Sequence, residues 1–279
     1  MNENQMYFDN GEQGQGAGKP LLEIKNVYKV FTKEGEDFMA LEDVNLSVHE
    51  GEFMCILGPT GCGKSVTLNI VAGLLEQSAG QIILSGKEEM GPGPHKGMVF
   101  QEYALLPWRS VIENVEFGME INGVSKRERR QIAEQQLANV GMAGMGNQSI
   151  HEVSVGARQR VAIARSLANC PTILLMDEPF DALDALTKVE MQIELLKTWQ
   201  KTKVTIFFVT HDVDEAIFLS DRICVMDINP GCVKKVLVNN LPRPRHEKVK
   251  RTDEEFSKLR EEIIGLYSSL MEDELDLII

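Results

Sequence analysis

The sequence has few cysteines, and they show no metal-binding or disulfide pattern. Cys55, Cys62, Cys170, Cys224 and Cys232 are odd in number, lie in or beside apolar runs and include no Cys-x-x-Cys pair. A zinc site or a disulfide framework is therefore not expected, and a reducing compartment fits this cysteine usage best.

The sequence also lacks a long hydrophobic run. No stretch approaches the roughly 18 apolar residues that span a bilayer. The first ten residues, MNENQMYFDN, lack the basic and then apolar order of a signal peptide. Any contact with a membrane is therefore expected to pass through a partner protein.

Basic residues are outnumbered by acidic ones. The 279 residues contain 29 Lys and Arg against 42 Asp and Glu, which gives a formal net charge of −13. Because a nucleic-acid backbone is held by basic surface, this balance argues against nucleic acid as the main partner. With 43% hydrophobic residues, the chain is long enough for one large soluble domain or two small ones.

Apolar runs alternate with helical patterns along the chain. The continuous apolar runs at 53–57 (FMCIL), 172–176 and 204–209 indicate strands that are buried on both faces, as in a parallel α/β sheet. The segments LLEIKNVYKVF and ALEDVNLSV alternate and favour antiparallel strands. Residues 1–20 are rich in Gly, Gln and Asn and predict a mobile tail.

Two further segments have helical patterns. Residues 110–141 predict helices, with Ser125 as an N-cap, Glu128 three residues later and Gly141 as a stop. Near the C-terminus, a Pro-broken linker precedes a helix whose apolar residues recur at helical spacing, namely Phe256, Leu259, Ile263, Leu266 and Leu270. Packing of this helix on its own domain is favoured over a dimerising coil.

The segment GPTGCGKS, residues 58–65, matches the pattern G-x-x-x-x-G-K-[ST] in full. It follows a buried strand and precedes the helical run VTLNIVAGLL, which is the context that this phosphate-binding pattern requires. The backbone N–H groups then point at phosphate oxygens, Lys64 adds a positive charge on the β- and γ-phosphates, and Ser65 offers a hydroxyl to Mg²⁺. A chance Gly-rich turn is the alternative.

Polar residues follow two more predicted strands. Asp177 and Glu178 follow TILLM, and His211 follows VTIFFV, at the sheet edge where open α/β sheets bind ligands. Asp177 can hold the metal, commonly through water, and Glu178 can polarise an attacking water as general base. Alone, adjacent acids more often cap a helix and a lone His is more often structural, but the phosphate loop favours the functional interpretation.

Five sequence segments carry a family resemblance. The phosphate loop, MVFQEYALLPW, VSVGARQR, LLMDEPFDALDA and VTHDVDEA resemble, in order and spacing, the ATP-binding subunits of ABC transporters over about residues 21–245. Within that family, GPGPHKGMVFQ, LLPWRSVIENVEFG and EPFDALDA are similar to phrases of the import ATPases for nitrate, sulfonate and taurine.

The resemblance implies an α/β fold: a P-loop NTPase core with an antiparallel β subdomain and a helical insert subdomain. The implied organisation is a disordered tail at 1–20, an ATP-binding core with the phosphate loop and β subdomain at 21–101, a helical subdomain at 102–153, the continued core at 154–240, and a C-terminal linker and helix at 241–279. The helical subdomain would dock on a membrane-embedded permease.

The resemblance also implies residue roles. Phe31 would stack on adenine, with Tyr28 as the neighbouring alternative, and Asp184 would lie at the dimer contact. Gln101 would reach the metal and the attacking water at the hinge into the helical insert, and His211 would hold the γ-phosphate. The implied ATP-binding set is Phe31, Gly58, Pro59, Thr60, Gly61, Cys62, Gly63, Lys64, Ser65 and Thr67; the metal set is Ser65, Gln101 and Asp177; the catalytic set is Glu178, His211 and Gln101.

The signature turn departs from the family pattern, which is usually Leu-Ser-Gly-Gly-Gln. The aligned residues are 153–157, VSVGA, in which Ser154 and Gly156 keep the groups that close over the γ-phosphate bound to the other subunit. Val155 stands where the first Gly would be. If that position needs positive φ or close phosphate approach, the cost is about 1–3 kcal/mol, which slows hydrolysis by roughly one or two decades.

A second departure is Asp181, which replaces the Gly that this import group has before ALDA. An extra carboxylate near the dimer contact could repel the partner subunit or find a basic group. The residues alone leave both outcomes open.

The leading hypothesis is an ATP hydrolase that pairs head to tail with a second ATP-binding subunit, expected to be a copy of this chain, and encloses two Mg-ATP molecules. It would power uptake of a small solute, such as nitrate, a sulfonate or taurine, through a permease at the cytoplasmic face of the membrane, and an extracytoplasmic solute-binding protein would deliver the solute. One alternative is a gating subunit that binds ATP but hydrolyses it weakly because of VSVGA. Another is an ABC ATPase that acts on nucleic acid or ribosomes, with which the −13 charge conflicts.

Overall fold

The computed structural model describes residues 19–33 and 35–278, and side-chain burial is described up to residue 267. The tail predicted over residues 1–20 therefore lies, apart from its last two residues, outside the described part. The side chain of Leu270 also lies outside it. Two sheets and eight helices are described in this part of the chain.

The first sheet is antiparallel and has four strands. Its strands are β1 (Leu22–Lys33), β2 (Glu36–Val48), β4 (Ala79–Leu84) and β5 (Lys87–Glu88), in the order β2-β1-β4-β5. The alternating segments near the start of the chain form its two long strands, as their period of two predicts. The antiparallel β subdomain is therefore confirmed.

The second sheet has six strands in the order β10-β9-β3-β8-β7-β6. They are β3 (Phe53–Leu57), β6 (Lys96–Val99), β7 (Ile173–Asp177), β8 (Thr205–Thr210), β9 (Arg222–Met226) and β10 (Val233–Val238). All neighbours pair in parallel except β10, which runs antiparallel to β9. The three continuous apolar runs form β3, β7 and β8, so the predicted parallel sheet is confirmed.

Both faces of the six-stranded sheet are covered. Along β3, Phe53, Cys55 and Leu57 belong to one apolar cluster and Met54 and Ile56 to another. Such alternation is what a strand between two packed layers requires. One layer contains the four-stranded sheet and α1, and the other contains most of the helices.

The helices are α1 (Lys64–Ala72), α2 (Val111–Ile121), α3 (Lys126–Asn139), α4 (Val155–Leu167), α5 (Ala185–Thr202), α6 (Val213–Leu219), α7 (Arg245–Lys248) and α8 (Glu254–Ile278). The helical insert consists of α2 and α3. Ser125 caps α3 by accepting a hydrogen bond from the Glu128 N–H at 3.3 Å, as predicted. Gly141, with φ of 72°, follows the end of that helix.

The C-terminal helix packs on its own chain. Phe256 and Ile263 of α8 are fully buried in the same apolar cluster as Phe218 of α6. Arg260 donates two hydrogen bonds to the Asp214 carboxylate on α6, at 2.6 and 2.7 Å. The interpretation of this helix as part of its own domain, rather than as a dimerising coil, therefore agrees with the described residues.

Candidate nucleotide site

The phosphate loop connects β3 to α1 at the carboxyl edge of the six-stranded sheet. Gly63, the N-cap of α1, has φ of 88°, a left-handed conformation that favours glycine. A Cβ atom there would collide with the Leu41 side chain of β2. The four-stranded sheet is thus packed against the phosphate loop, and the loop backbone can take this path only with glycine at Gly63.

Lys64 is buried in the mouth of this loop. Its side chain is 4% exposed, and its ammonium donates hydrogen bonds to the carbonyl oxygens of Gly58 at 2.8 Å and Pro59 at 2.9 Å. The same ammonium lies 3.8 Å from a carboxylate oxygen of Glu178. A positive charge is therefore held at the place where the loop would cradle phosphates.

Ser65 and Asp177 meet across the sheet edge. The Ser65 hydroxyl donates to the Asp177 carboxylate at 2.9 Å. Burial raises the pKa of Asp177, the nearby Glu178 carboxylate raises it further, and the Ser65 hydrogen bond and the Lys64 charge lower it. A hydroxyl and a carboxylate are the oxygen ligands that Mg²⁺ prefers, and a bound cation would offset the cost of burying the carboxylate. These residues therefore fit a magnesium ion.

Glu178 is held in an unusual backbone conformation. Its φ is 41°, in the left-handed region where a non-glycine residue costs about 1–3 kcal/mol. Its N–H donates to the Val209 carbonyl of β8 at 3.0 Å, which fixes the strained residue to the neighbouring strand. Its carboxylate lies 3.0 Å from His211 Nδ1. Strain of this kind is typical of a functional position.

The acids that follow β7 do not cap the next helix. Asp184 is the N-cap of α5 and accepts a hydrogen bond from the Thr187 N–H at 3.1 Å. The helix-cap interpretation of Asp177 and Glu178 is therefore wrong, and both carboxylates stay available at the sheet edge.

Asp181 lies in the site between Gln101 and His211. The family resemblance assigns a metal contact to Gln101 and a γ-phosphate contact to His211. Its carboxylate accepts a hydrogen bond from the Gln101 side-chain amide at 3.2 Å. Its other oxygen lies 3.5 Å from His211 Nε2. Sequence reasoning placed Asp181 near the dimer contact and missed this arrangement. A turn with a hydrogen bond from the Asp181 N–H to the Glu178 carbonyl places Asp181 beside the site, but no sequence pattern indicates its contacts with Gln101 and His211.

The signature turn is the start of a helix. Ser154 is the N-cap of α4, with φ of −64°, and its hydroxyl accepts from the Ala157 N–H at 3.2 Å. Val155 is the first helical residue, lies outside the left-handed region and is 45% exposed. The cost that a need for positive φ would impose at Val155 therefore does not arise. Gly156 has a packing reason, because a Cβ there would lie 3.0 Å from the Thr187 side chain of α5.

Replacing Val155 by glycine is expected to change ATP hydrolysis by no more than about twofold, because the helical φ at this position gives a glycine no backbone advantage. Steady-state phosphate release by the parent and Val155→Gly measures this, with Val155→Ala as the control that shortens the side chain without freeing the backbone. A tenfold gain in Val155→Gly alone would contradict the helical assignment and favour the weakly hydrolysing alternative.

The predicted roles of Phe31 or Tyr28 at the adenine and of Thr67 at the nucleotide stay predictions. Phe31 of β1 is 38% exposed, and the Lys29 ammonium lies 4.9 Å from its ring centroid. Tyr28, the alternative, is partly buried. Thr67 is buried, and its hydroxyl donates to the Gly63 carbonyl at 3.0 Å.

The signature helix is tied to the segment that carries Gln101. Arg165 of α4 donates to the carbonyl oxygens of Tyr103 at 3.0 Å and Ala104 at 2.6 Å. The Ser166 hydroxyl of α4 donates to the Met98 carbonyl of β6 at 2.7 Å. Both flanks of Gln101 are thus held by the helix that the signature turn begins.

A groove of about 450 Å³ lies beside this contact. Phe100, Phe117, Ile121 and Arg165 are among its lining residues. Phe100 and Ile121 are exposed, and so is nearby Trp108 in the loop before α2. Within the described part of the chain, no helix is long and apolar enough to span a membrane.

Comparison with known proteins identifies relatives over most of the chain. The model of the ABC transporter family matches residues 41–181. An uncharacterized ABC transporter ATP-binding protein of Methanocaldococcus jannaschii is 48% identical over 248 residues, which cover 89% of this chain and 91% of that protein. The nitrate import ATP-binding protein of Synechocystis sp. is 43% identical, with 88% of this chain and 94% of that protein covered. The taurine import ATP-binding protein of Shigella sonnei is 43% identical, with 88% and 96% covered.

A solved structure shares the fold. A dimeric ATP-binding cassette in a post-hydrolysis state, bound to ADP and Pi, superposes with a TM-score of 0.69 at 32% identity. The match covers 78% of this chain and 99% of that chain. The P-loop NTPase fold expected from the sequence is therefore confirmed.

Proposed function

We propose a transport function for this chain, which belongs to the ABC transporter family of ATP-binding proteins and is an ATPase of that type. It powers the import of a small solute through a partner permease, at the cytoplasmic face of the membrane. The observation that carries the proposal is the cluster of Lys64, Ser65, Asp177 and Glu178 at the carboxyl ends of β3 and β7. The similarity to nitrate and taurine import proteins supports import of a small anionic or zwitterionic solute.

The residues of the site divide the work of hydrolysis. Lys64 and the N–H groups of the loop bind the phosphates of ATP, and Ser65, Asp177 and Gln101 hold Mg²⁺. The metal supplies Lewis-acid polarisation of the phosphates when it is bound. Glu178 orients the attacking water and accepts its proton, and His211 donates a hydrogen bond to the γ-phosphate.

A second copy of the chain completes the site. Ser154 is the N-cap of α4 and Gly156 lies in its first turn, so the N-terminus of this helix is available to a γ-phosphate on the other subunit. The hydroxyl of Ser154 is exposed. Asp184, also exposed, lies at the start of α5 beside this turn and faces the partner in the proposed dimer. The dimeric form of the related cassette supports this arrangement.

The groove beside Gln101 receives the permease. Its exposed apolar residues offer buried area to a partner helix, and its Arg165 also holds the carbonyls of Tyr103 and Ala104, just after Gln101. A movement of Gln101 toward the γ-phosphate therefore changes the wall of the groove. This connection gives ATP binding a mechanical route to the permease.

Replacing Ile121 by aspartate is expected to disrupt docking, because Ile121 is 69% exposed in the groove and a charge there would be desolvated in the complex. Copurification with the permease is expected to fall at least about tenfold, while hydrolysis by the chain alone stays within about twofold. The matched control is Met90→Asp, which adds the same charge at another exposed apolar residue. Equal retention of the permease by both variants would contradict the proposed docking surface.

The whole proposal is tested by transport. The chain, its permease and a solute-binding protein are reconstituted in vesicles with ATP on the side of this chain, and uptake of nitrate, taurine and other sulfonates is measured. ATP-dependent accumulation of at least one solute is expected. If the complex hydrolyses ATP but accumulates none of these solutes, the proposed import function is wrong.

A further inference from the structure

Asp181 contacts two side chains of the proposed mechanism: His211, which donates to the γ-phosphate, and Gln101, which reaches the metal and the attacking water. The Gln101 amide donates to one Asp181 oxygen at 3.2 Å, and His211 Nε2 lies 3.5 Å from the other. His211 Nδ1 lies 3.0 Å from the Glu178 carboxylate, which in turn lies 3.8 Å from the Lys64 ammonium. Five side chains thus form one continuous chain of polar contacts across the site.

The carboxylate of Asp181 resembles a phosphate oxygen in charge and in hydrogen-bond capacity. Both accept hydrogen bonds from amide and imidazole N–H groups, and both are negative. A donor that points at Asp181 is not free to point at a γ-phosphate. The contacts of Asp181 and those of ATP therefore compete for Gln101 and His211.

The position of Asp181 favours this competition. It follows Glu178 in a turn closed by a 3.2 Å hydrogen bond between the Asp181 N–H and the Glu178 carbonyl. Its side chain is 38% exposed, so it can withdraw into water when another acceptor replaces it.

We propose that Asp181 is a built-in competitor of the γ-phosphate: its carboxylate holds the Gln101 amide and the His211 imidazole until ATP binds, when the γ-phosphate takes over the His211 donor and Gln101 turns to the metal and the attacking water. Asp181 is then a positioning residue, which makes the subunit distinguish ATP from ADP. The inference rests on the proposed roles of Gln101 and His211. ADP, which has no γ-phosphate, leaves the contacts of Asp181 in place.

The test compares a nucleotide that has a γ-phosphate with one that lacks it. Equilibrium binding of AMP-PNP and of ADP, both with Mg²⁺, is measured for the full chain, Asp181→Ala, Asp181→Asn and the control Glu190→Gln, an exposed carboxylate on α5. Asp181→Ala is expected to bind AMP-PNP roughly three- to tenfold more tightly, since one competing hydrogen bond to a charged acceptor is lost. Its affinity for ADP is expected to stay within about twofold, since no γ-phosphate contact is gained.

The asparagine variant separates charge from hydrogen bonding. Its side-chain oxygen can still accept from Gln101 but carries no charge toward His211, so its affinity for AMP-PNP is expected to lie between those of the parent and Asp181→Ala. In steady-state hydrolysis, Asp181→Ala is expected to lower KM for ATP with little change in kcat.

Several results would overturn the inference: equal changes for AMP-PNP and ADP, unchanged affinity for both, or a loss of kcat with an unchanged KM. Parent hydrolysis and uptake are measured first. If the parent transports solute but Asp181→Ala shows no selective gain, the competitor role alone is wrong. If the parent neither hydrolyses ATP nor transports, the proposed function is wrong and the inference falls with it.

Discussion

Glu178→Gln is expected to lower steady-state ATP hydrolysis by about two to three orders of magnitude, because a carboxamide cannot accept the proton of the attacking water. The amide has nearly the same shape, so it can keep the contact with His211 that the carboxylate makes at 3.0 Å. The strained backbone, with φ of 41°, and its hydrogen bond to Val209 do not depend on the side-chain charge. The loss is therefore expected in kcat, with nucleotide affinity within about threefold of the parent.

Phosphate release and equilibrium ATP binding together measure this effect. Glu190→Gln makes the same chemical change at an exposed position on α5 and is expected to leave both quantities unchanged. Hydrolysis by Glu178→Gln at a rate close to that of Glu190→Gln would show that another group accepts the proton.

Lys64→Ala is expected to weaken ATP binding by roughly two orders of magnitude or more, because it removes a charge-assisted contact with the β- and γ-phosphates. The Lys64 side chain is only 4% exposed, so its attraction to phosphate is poorly screened by water. Its removal also leaves the carbonyls of Gly58 and Pro59 without the donor that they now have. Hydrolysis is expected to fall with binding.

Nucleotide titration followed by thermal unfolding measures this loss, since a ligand at 100 times its Kd stabilises the native state by about 2.7 kcal/mol. Lys87→Ala, at an exposed lysine of β5, is the matched control and is expected to keep the full ATP-dependent stabilisation. An equal rise of Tm with ATP in Lys64→Ala and Lys87→Ala would show that Lys64 does not bind the phosphates.

Much of the fold could be predicted because its signals are local. A continuous apolar run such as FMCIL can be satisfied only between two packed layers, and all five of its residues are buried in β3. The phosphate loop is a short segment in which the glycines, the lysine and the backbone N–H groups that bind phosphate are close in sequence. The order of strands along the chain then brings Asp177 and Glu178 to the sheet edge, because parallel strands end together.

The signature turn shows how a missing residue can mislead. The absence of a family glycine at Val155 raised two possible reasons for a cost, a need for positive φ and a close approach of phosphate. The structure makes this position the first residue of α4, where ordinary helical φ suffices and the side chain extends into solvent. At Gly156 a Cβ would lie 3.0 Å from the side chain of Thr187, 31 residues away in sequence, a tight contact that no local pattern reveals.

The contacts of Asp181 could not be predicted for a related reason. Gln101 and Asp181 are 80 residues apart, and their hydrogen bond depends on how the segment after β6 lies against the segment after β7. The sequence shows the extra carboxylate but not its neighbours. Side-chain contacts between distant segments depend on the packed three-dimensional arrangement, which periodicity and motif spacing do not encode.

This chain turns over ATP and does not merely bind it. The most direct test is steady-state phosphate release by the parent complex with its permease, measured beside the Glu178→Gln complex. We expect turnover on the order of one per second or faster, at least about a hundredfold above the variant. A parent rate equal to that of Glu178→Gln, with ATP bound in both, would contradict this account.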